Sequence, residues 1–196
     1  MIVIKYSRLE LENKFEKFIW DFKLKDNVFY NLGLVFDLIK DCNDGKEYFK
    51  PLSILAVSVI EAILIDFLHR LDGGTKHFPE LFLDKRGEIK ARLEKEKRTA
   101  YSVYEGKEFQ YKKIKNFTFS DVIEFFEEYK LLGSLKKDYE FLKNTNRFRN
   151  RVHIRNYFDN FEKDESDVFS EGRTQKVVNA MVILIKYFEI NDKRPW

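Results

Sequence analysis

From Pro51 to Leu71 the chain is apolar at nearly every position, and a helix that is apolar all round must be covered on every side. Proline suits a first helical turn, and Gly73-Gly74 stops the helix. Leu52 to Leu68 is short for a membrane span and contains Glu61 and Asp66, so a helix buried in protein is the better reading. A central helix of this kind demands a bundle around it.

Other segments supply the cover. Leu11, Phe15, Phe18, Ile19 and Phe22 follow helical spacing over Leu9 to Phe22. A second helix is expected over Asn27 to Lys40, ending at the turn Asn43-Asp44-Gly45. Ser120 is the expected cap of a helix through Leu132, with Asp121 and Glu124 near its positive end. Leu135 to Leu142 reads as the start of another helix after Gly133-Ser134. The acidic stretch Asp159 to Glu171 precedes a last helix, Thr174 to Phe188, with Val177, Val178, Met181, Leu184, Ile185 and Phe188 as its core stripe. Met1 to Tyr6 is a short strand or an ordered lead-in. The expected fold is therefore all-α, an up-and-down helical bundle forming one domain over residues 1–196.

Residues 75–119 interrupt the bundle as a mixed insertion. Asp84 to Arg98 is a charge-dense helix, the usual sign of a solvated face. Thr99 to Phe119 interleaves Tyr101, Tyr104, Phe109, Tyr111 and Phe117 with Lys107, Lys112, Lys113 and Lys115. Such a pattern is either a small hairpin packed by its rings or a surface that stacks bases and holds phosphates, with Lys112 and Lys113 as the RNA contacts.

Charge limits the partners only locally. Lys+Arg 36 against Asp+Glu 33 leaves a formal net charge of +3, too small to imply nucleic acid by itself. Leu135 to Tyr157, however, holds seven Lys/Arg against two acidic residues. A single cysteine, Cys42, excludes an internal disulfide and fits a reducing compartment such as the cytoplasm. The first 30 residues lack a cationic start followed by an apolar core, so no secretion signal is expected. Three histidines, His69, His77 and His153, without paired spacing give no transition-metal site.

The chemistry concentrates between Asn146 and Asn156. If the Leu135 helix continues, Leu135, Tyr139, Leu142, Asn146, Arg149, His153 and Asn156 lie on one stripe that begins apolar and becomes polar. Polar groups on a face aimed at the core are costly unless paired or lining a cleft. RNA can be cut without metal when a base takes the 2′-hydroxyl proton, the oxygen attacks phosphorus and an acid protonates the leaving 5′-oxygen. Histidine suits both proton transfers, arginine meets the charge of the phosphorane, and asparagine orients. One chain supplies one such histidine, whereas a two-fold dimer supplies two. Arg149 and His153, four apart, are equally compatible with a solvated basic helix.

The run Arg147-Phe148-Arg149-Asn150-Arg151-Val152-His153, late in a helical chain and followed by one more apolar helix, resembles the Arg-x(4 to 6)-His signature of HEPN domains. Counted from Arg147 the gap to His153 is five residues; counted from Arg149 it is three, although the adjacent Asn150 resembles the common arginine-then-polar form. The Glu61 helix resembles the acidic helix of these bundles. The resemblance covers about residues 27–72 and 120–190. It implies a metal-independent, cofactor-free endoribonuclease of a toxin-antitoxin, abortive-infection or other defence system, acting on RNA as a homodimer, with a cognate antitoxin or defence-complex protein as a further partner and no membrane. Cleavage would leave a 2′,3′-cyclic phosphate. By the resemblance, His153 and Arg147 or Arg149 are catalytic. The residues themselves suggest that Asn150 orients, that Arg151, Arg155 and Asn156 contact RNA, and that Glu61, the odd residue of its apolar helix, anchors an arginine of the run, is held neutral or snorkels to water. Other members of the family have lost catalysis, which keeps a non-catalytic RNA- or nucleotide-binding or protein-interaction module as the alternative.

Overall fold

The computed structural model describes residues 1–19, 22–72, 80–104, 107–114, 117–133, 136–150 and 169–192. It is an all-α bundle in which helix α3 (Phe49–Asp72) packs against α2 (Phe22–Asn43), α4 (Arg86–Lys95), α5 (Phe119–Glu128), α6 (Lys136–Asn150) and α7 (Glu171–Asn191). Helix α1 (Arg8–Glu16) lies against α2 and α7. By length and composition α3 could cross a membrane, yet Leu52, Ala56, Ile60, Ile63, Leu64 and Phe67 are buried under the surrounding helices. Phe67, Phe126 and Phe188 form a triangle of ring contacts with centroids 5.1 to 6.5 Å apart, and Phe18 adds a fourth ring at 5.7 Å from Phe188. Aromatic edges meeting faces add to the area these rings remove from water.

The helices differ from expectation mainly at their ends. Helix α1 stops at Glu16, and a turn carries Phe18 and Ile19, both fully buried, into the core. Helix α2 begins five residues earlier than its apolar spacing suggests. Thr118, rather than Ser120, caps α5: its hydroxyl accepts from the Asp121 N–H while the Asp121 carboxylate accepts from the Thr118 N–H. Met1 to Tyr6 is an extended lead-in held by two side-chain amides. Asn43 brackets Ile2, accepting from its N–H at 2.7 Å and donating to its carbonyl at 3.0 Å. Gln175 does the same for Val3 at 2.6 and 2.8 Å.

The insertion is mixed, as its composition suggests. A short 3-10 turn (Glu80–Lys85) leads into α4, and strands β1 (Lys97–Tyr104) and β2 (Lys107–Ile114) form an antiparallel hairpin. Helix α4 is not simply solvated, since Ile89 and Leu93 are fully buried and Lys85 donates to the Tyr129 carbonyl at 2.8 Å.

Candidate functional site

The arginine-rich run enters the structure through α6. Its start is fixed by the turn after α5, where Lys130 and Gly133 adopt positive φ of 51° and 84°. The Tyr139 hydroxyl accepts from the Leu132 N–H at 3.0 Å and donates to the Gly133 carbonyl at 3.1 Å. Lys143 pairs with Glu127 of α5 at 2.5 Å. Tyr139, Leu142 and Thr145 are the buried positions, and Asn146 is half-buried. The Thr145 hydroxyl, with no access to water, satisfies itself by donating back to the Phe141 carbonyl at 2.9 Å.

Helix geometry then separates the two candidate arginines. Position 149 follows Leu142 by seven residues and Thr145 by four and so continues the stripe of the buried positions, whereas position 147 follows the exposed Glu140 by seven and the exposed Lys143 by four and so continues the opposite stripe. The side chains of Arg147, Arg149 and Asn150 lie outside the described residues, as do Arg151, His153, Arg155 and Asn156 entirely. Glu61 is half-buried on α3. Helices α3 and α6 pack together.

Strand register also separates the two lysines of the insertion. Lys113 stands opposite Arg98, and Lys112 opposite Thr99, so the two lie on opposite faces. Counting by twos from Arg98 and Lys113 puts positions 104, 109 and 111, all aromatic, on the Lys113 face. On the other face the described residues Thr99, Tyr101, Glu108 and Gln110 are exposed.

Two features escape a reading by sequence spacing. The first is a buried ionic cluster tying α3 to the end of α7. Arg70 Nε donates to Asp66 at 2.7 Å, and its Nη1 pairs with Asp192. Asp66 is 4% and Asp192 8% exposed. Burial pushes the Asp192 carboxyl from 3.8 to about 6, overcoming the opposing effect of Arg70, while the charge of Asp66 pushes the same way as burial. Asp66 and Arg70, four residues apart in an otherwise apolar helix, were the available signal. The second is Glu189, one turn from the end of α7, which accepts from Lys14 at 2.8 Å and Lys17 at 2.6 Å; those two hydrogen bonds lower its pKa.

Among the described residues no group of three His, Cys, Asp or Glu side chains is placed to hold a metal, and His69 is exposed. Cys42 is buried, which pushes its thiol up and disfavours the nucleophilic thiolate. The chain matches no family model, no curated protein and no solved structure.

Proposed function

We propose that the chain is a HEPN-like, metal-independent endoribonuclease that works as a cytoplasmic homodimer in a toxin or defence system. In the proposed reaction His153 and its two-fold mate exchange protons with RNA. One removes the 2′-hydroxyl proton, O2′ bonds to phosphorus, the P–O5′ bond breaks, and the other protonates O5′. The products are a 2′,3′-cyclic phosphate and a 5′-hydroxyl. Arginine at 147 or 149 stabilises the phosphorane, Asn150 orients, and Glu61 anchors an arginine from α3. Arg151, Arg155, Asn156, Lys112 and Lys113 contact the RNA backbone.

The observation that carries this reading is the setting of the arginine run. It continues a helix whose preceding turns are sealed into the core by Tyr139, Leu142 and Thr145, with half-buried Asn146 at the change from apolar to polar. A solvated basic helix has no need of such a root. RNA incubated in EDTA with the wild-type protein should be cut to cyclic-phosphate ends. His153→Ala should lower the rate by roughly 10² to 10⁴, and loss of the phosphorane-binding arginine by roughly 10² to 10³. Equal cleavage by wild type and His153→Ala removes the enzyme assignment.

The register of α6 also favours a second reading. The arginine position on the stripe of the buried residues is 149, with only three residues between it and His153, whereas the spacing of the family pattern belongs to 147, on the stripe of exposed Glu140 and Lys143. A non-catalytic RNA-binding module accommodates that register, and predicts salt-sensitive RNA affinity without cleavage.

A further inference from the structure

Helices α6 and α7 diverge around a cavity of about 480 Å³ floored by Phe141, Leu142, Ala180 and Leu184. Ile183 stands at its lip and is 59% exposed; Ile190, two turns further along α7, is 66% exposed. Lys176, Asn179, Ile183, Tyr187 and Ile190 follow one another by three or four residues and so share a face of α7 about 21 Å long. Exposed apolar side chains in line with an apolar cavity mark an interaction surface.

The polar end of this face specifies charge. Among the described residues lining the cavity Lys176 alone is charged, and it forms no hydrogen bond or ion pair with the described residues. Asn179 accepts from Gln175 Nε2 at 2.8 Å through its Oδ1, which leaves its amide N–H groups as donors. An ammonium and an amide donor one turn apart, with no acid beside them among the described lining residues, suit a carboxylate.

We propose that the α6–α7 groove is the docking site for an amphipathic helix of a partner protein, with apolar anchors over the cavity and a carboxylate over Lys176. A small amphipathic acid fills the cavity but leaves Ile190 in water; about four turns of helix cover the whole stripe. A second copy fits less well, because antiparallel pairing of two α7 helices about Ile183 sets Ile190 of one opposite Lys176 of the other and supplies no carboxylate. The inference stands apart from the ribonuclease reading.

The test is a display library of 18-residue helices with fixed apolar i, i+4, i+7 positions and a randomised charge at each end, selected on the full chain. Acidic residues should be enriched at one end, and the best peptide should bind at least tenfold tighter than its lysine counterpart. Lys176→Glu should invert that preference, and Ile183→Asp should weaken binding at least tenfold. Both side chains are exposed, and circular dichroism of each variant checks that its helices are kept. No enrichment, or binding indifferent to the charge swap, overturns the proposal. A wild-type dimer converted to monomer by Ile183→Asp, with no peptide enriched, assigns the groove to a second copy and overturns it too.

Discussion

Among the described residues the cluster of Asp66, Arg70 and Asp192 sets two buried carboxylates about one guanidinium, and a proton on Asp192 lessens the cost of burying its charge. Folded, Asp192 holds its proton up to about pH 6; unfolded, it releases it near 3.8. Folding therefore takes up a proton between these values, so this contribution is fully present below about pH 4 and is lost as pH rises through about 6, by on the order of 3 kcal/mol. Glu189 works in the opposite sense. Its pKa is lowered by Lys14 and Lys17, so its contribution holds above the unfolded carboxylate range and is lost on acidification. Urea midpoints of the wild type should thus fall between pH 4.5 and 7, and Asp192→Asn should flatten that fall. The same pH slope in both proteins would remove the proposed proton uptake. Arg70→Met, which takes the guanidinium away from both carboxylates, should cost roughly 3 to 5 kcal/mol at pH 7 and less at pH 5. Its apolar surroundings made Glu61 the odd residue of α3, yet Asp66 is the more buried. A helix apolar on all sides gives no face by which to rank Glu61 against Asp66. Only the arginine one turn on separates them.

Helix interiors followed from apolar periodicity, whereas helix ends depend on backbone hydrogen bonds that residue type specifies weakly. Thr118 and Ser120 are equally good caps by chemistry; Thr118 wins because Phe119, directly after it, is buried and has to lie inside the helix. Thr118→Ala should therefore cost about 1 kcal/mol, while Ser120→Ala should change little. The other end of α5 holds a less expected device. The Leu131 N–H donates to the Phe126 carbonyl at 2.9 Å and the Lys130 N–H to that of Glu127 at 3.1 Å, which is a Schellman turn with lysine at the left-handed position. Glycine occupies that conformation without a Cβ penalty. Lys130→Gly should raise stability by about 0.5 to 1 kcal/mol in chemical denaturation, and a destabilised variant would show that the lysine side chain contributes more than its strained backbone costs. On α6, spacing alone places positions 142 and 149 on one stripe, but whether that stripe faces the core emerges only from the burial of Tyr139, Leu142 and Thr145.

Across the whole molecule, the bundle was readable because α3 has to be surrounded, and the insertion because its composition breaks the helical pattern. The α6–α7 groove was not readable, since its walls come from separate helices, and Ile183 and Ile190, which fall off the core stripe, point to no groove until their neighbours are placed. The insertion divides physically into two parts. The 3-10 turn and α4 are rooted in the body by Ile89, Leu93 and Lys85, whereas Thr99, Tyr101, Glu108 and Gln110 on one face of the hairpin are exposed. Lys97 and Ile114 are cross-strand partners, so residues 98–113 can be replaced by a short Gly/Asn turn without moving the chain at either side. That replacement should leave the thermal midpoint within a few degrees of wild type, as roughly 1 kcal/mol shifts a domain of this size by about 2 to 4 °C. Removing residues 80–114 instead should unfold the protein, because it uncovers the sites filled by Ile89 and Leu93. If the hairpin also contacts RNA, the short replacement should weaken RNA binding most at low salt, where phosphate contacts count most. RNA affinity unchanged at every salt concentration would confine recognition to the α6 side of the bundle and leave Lys112 and Lys113 with no part in it.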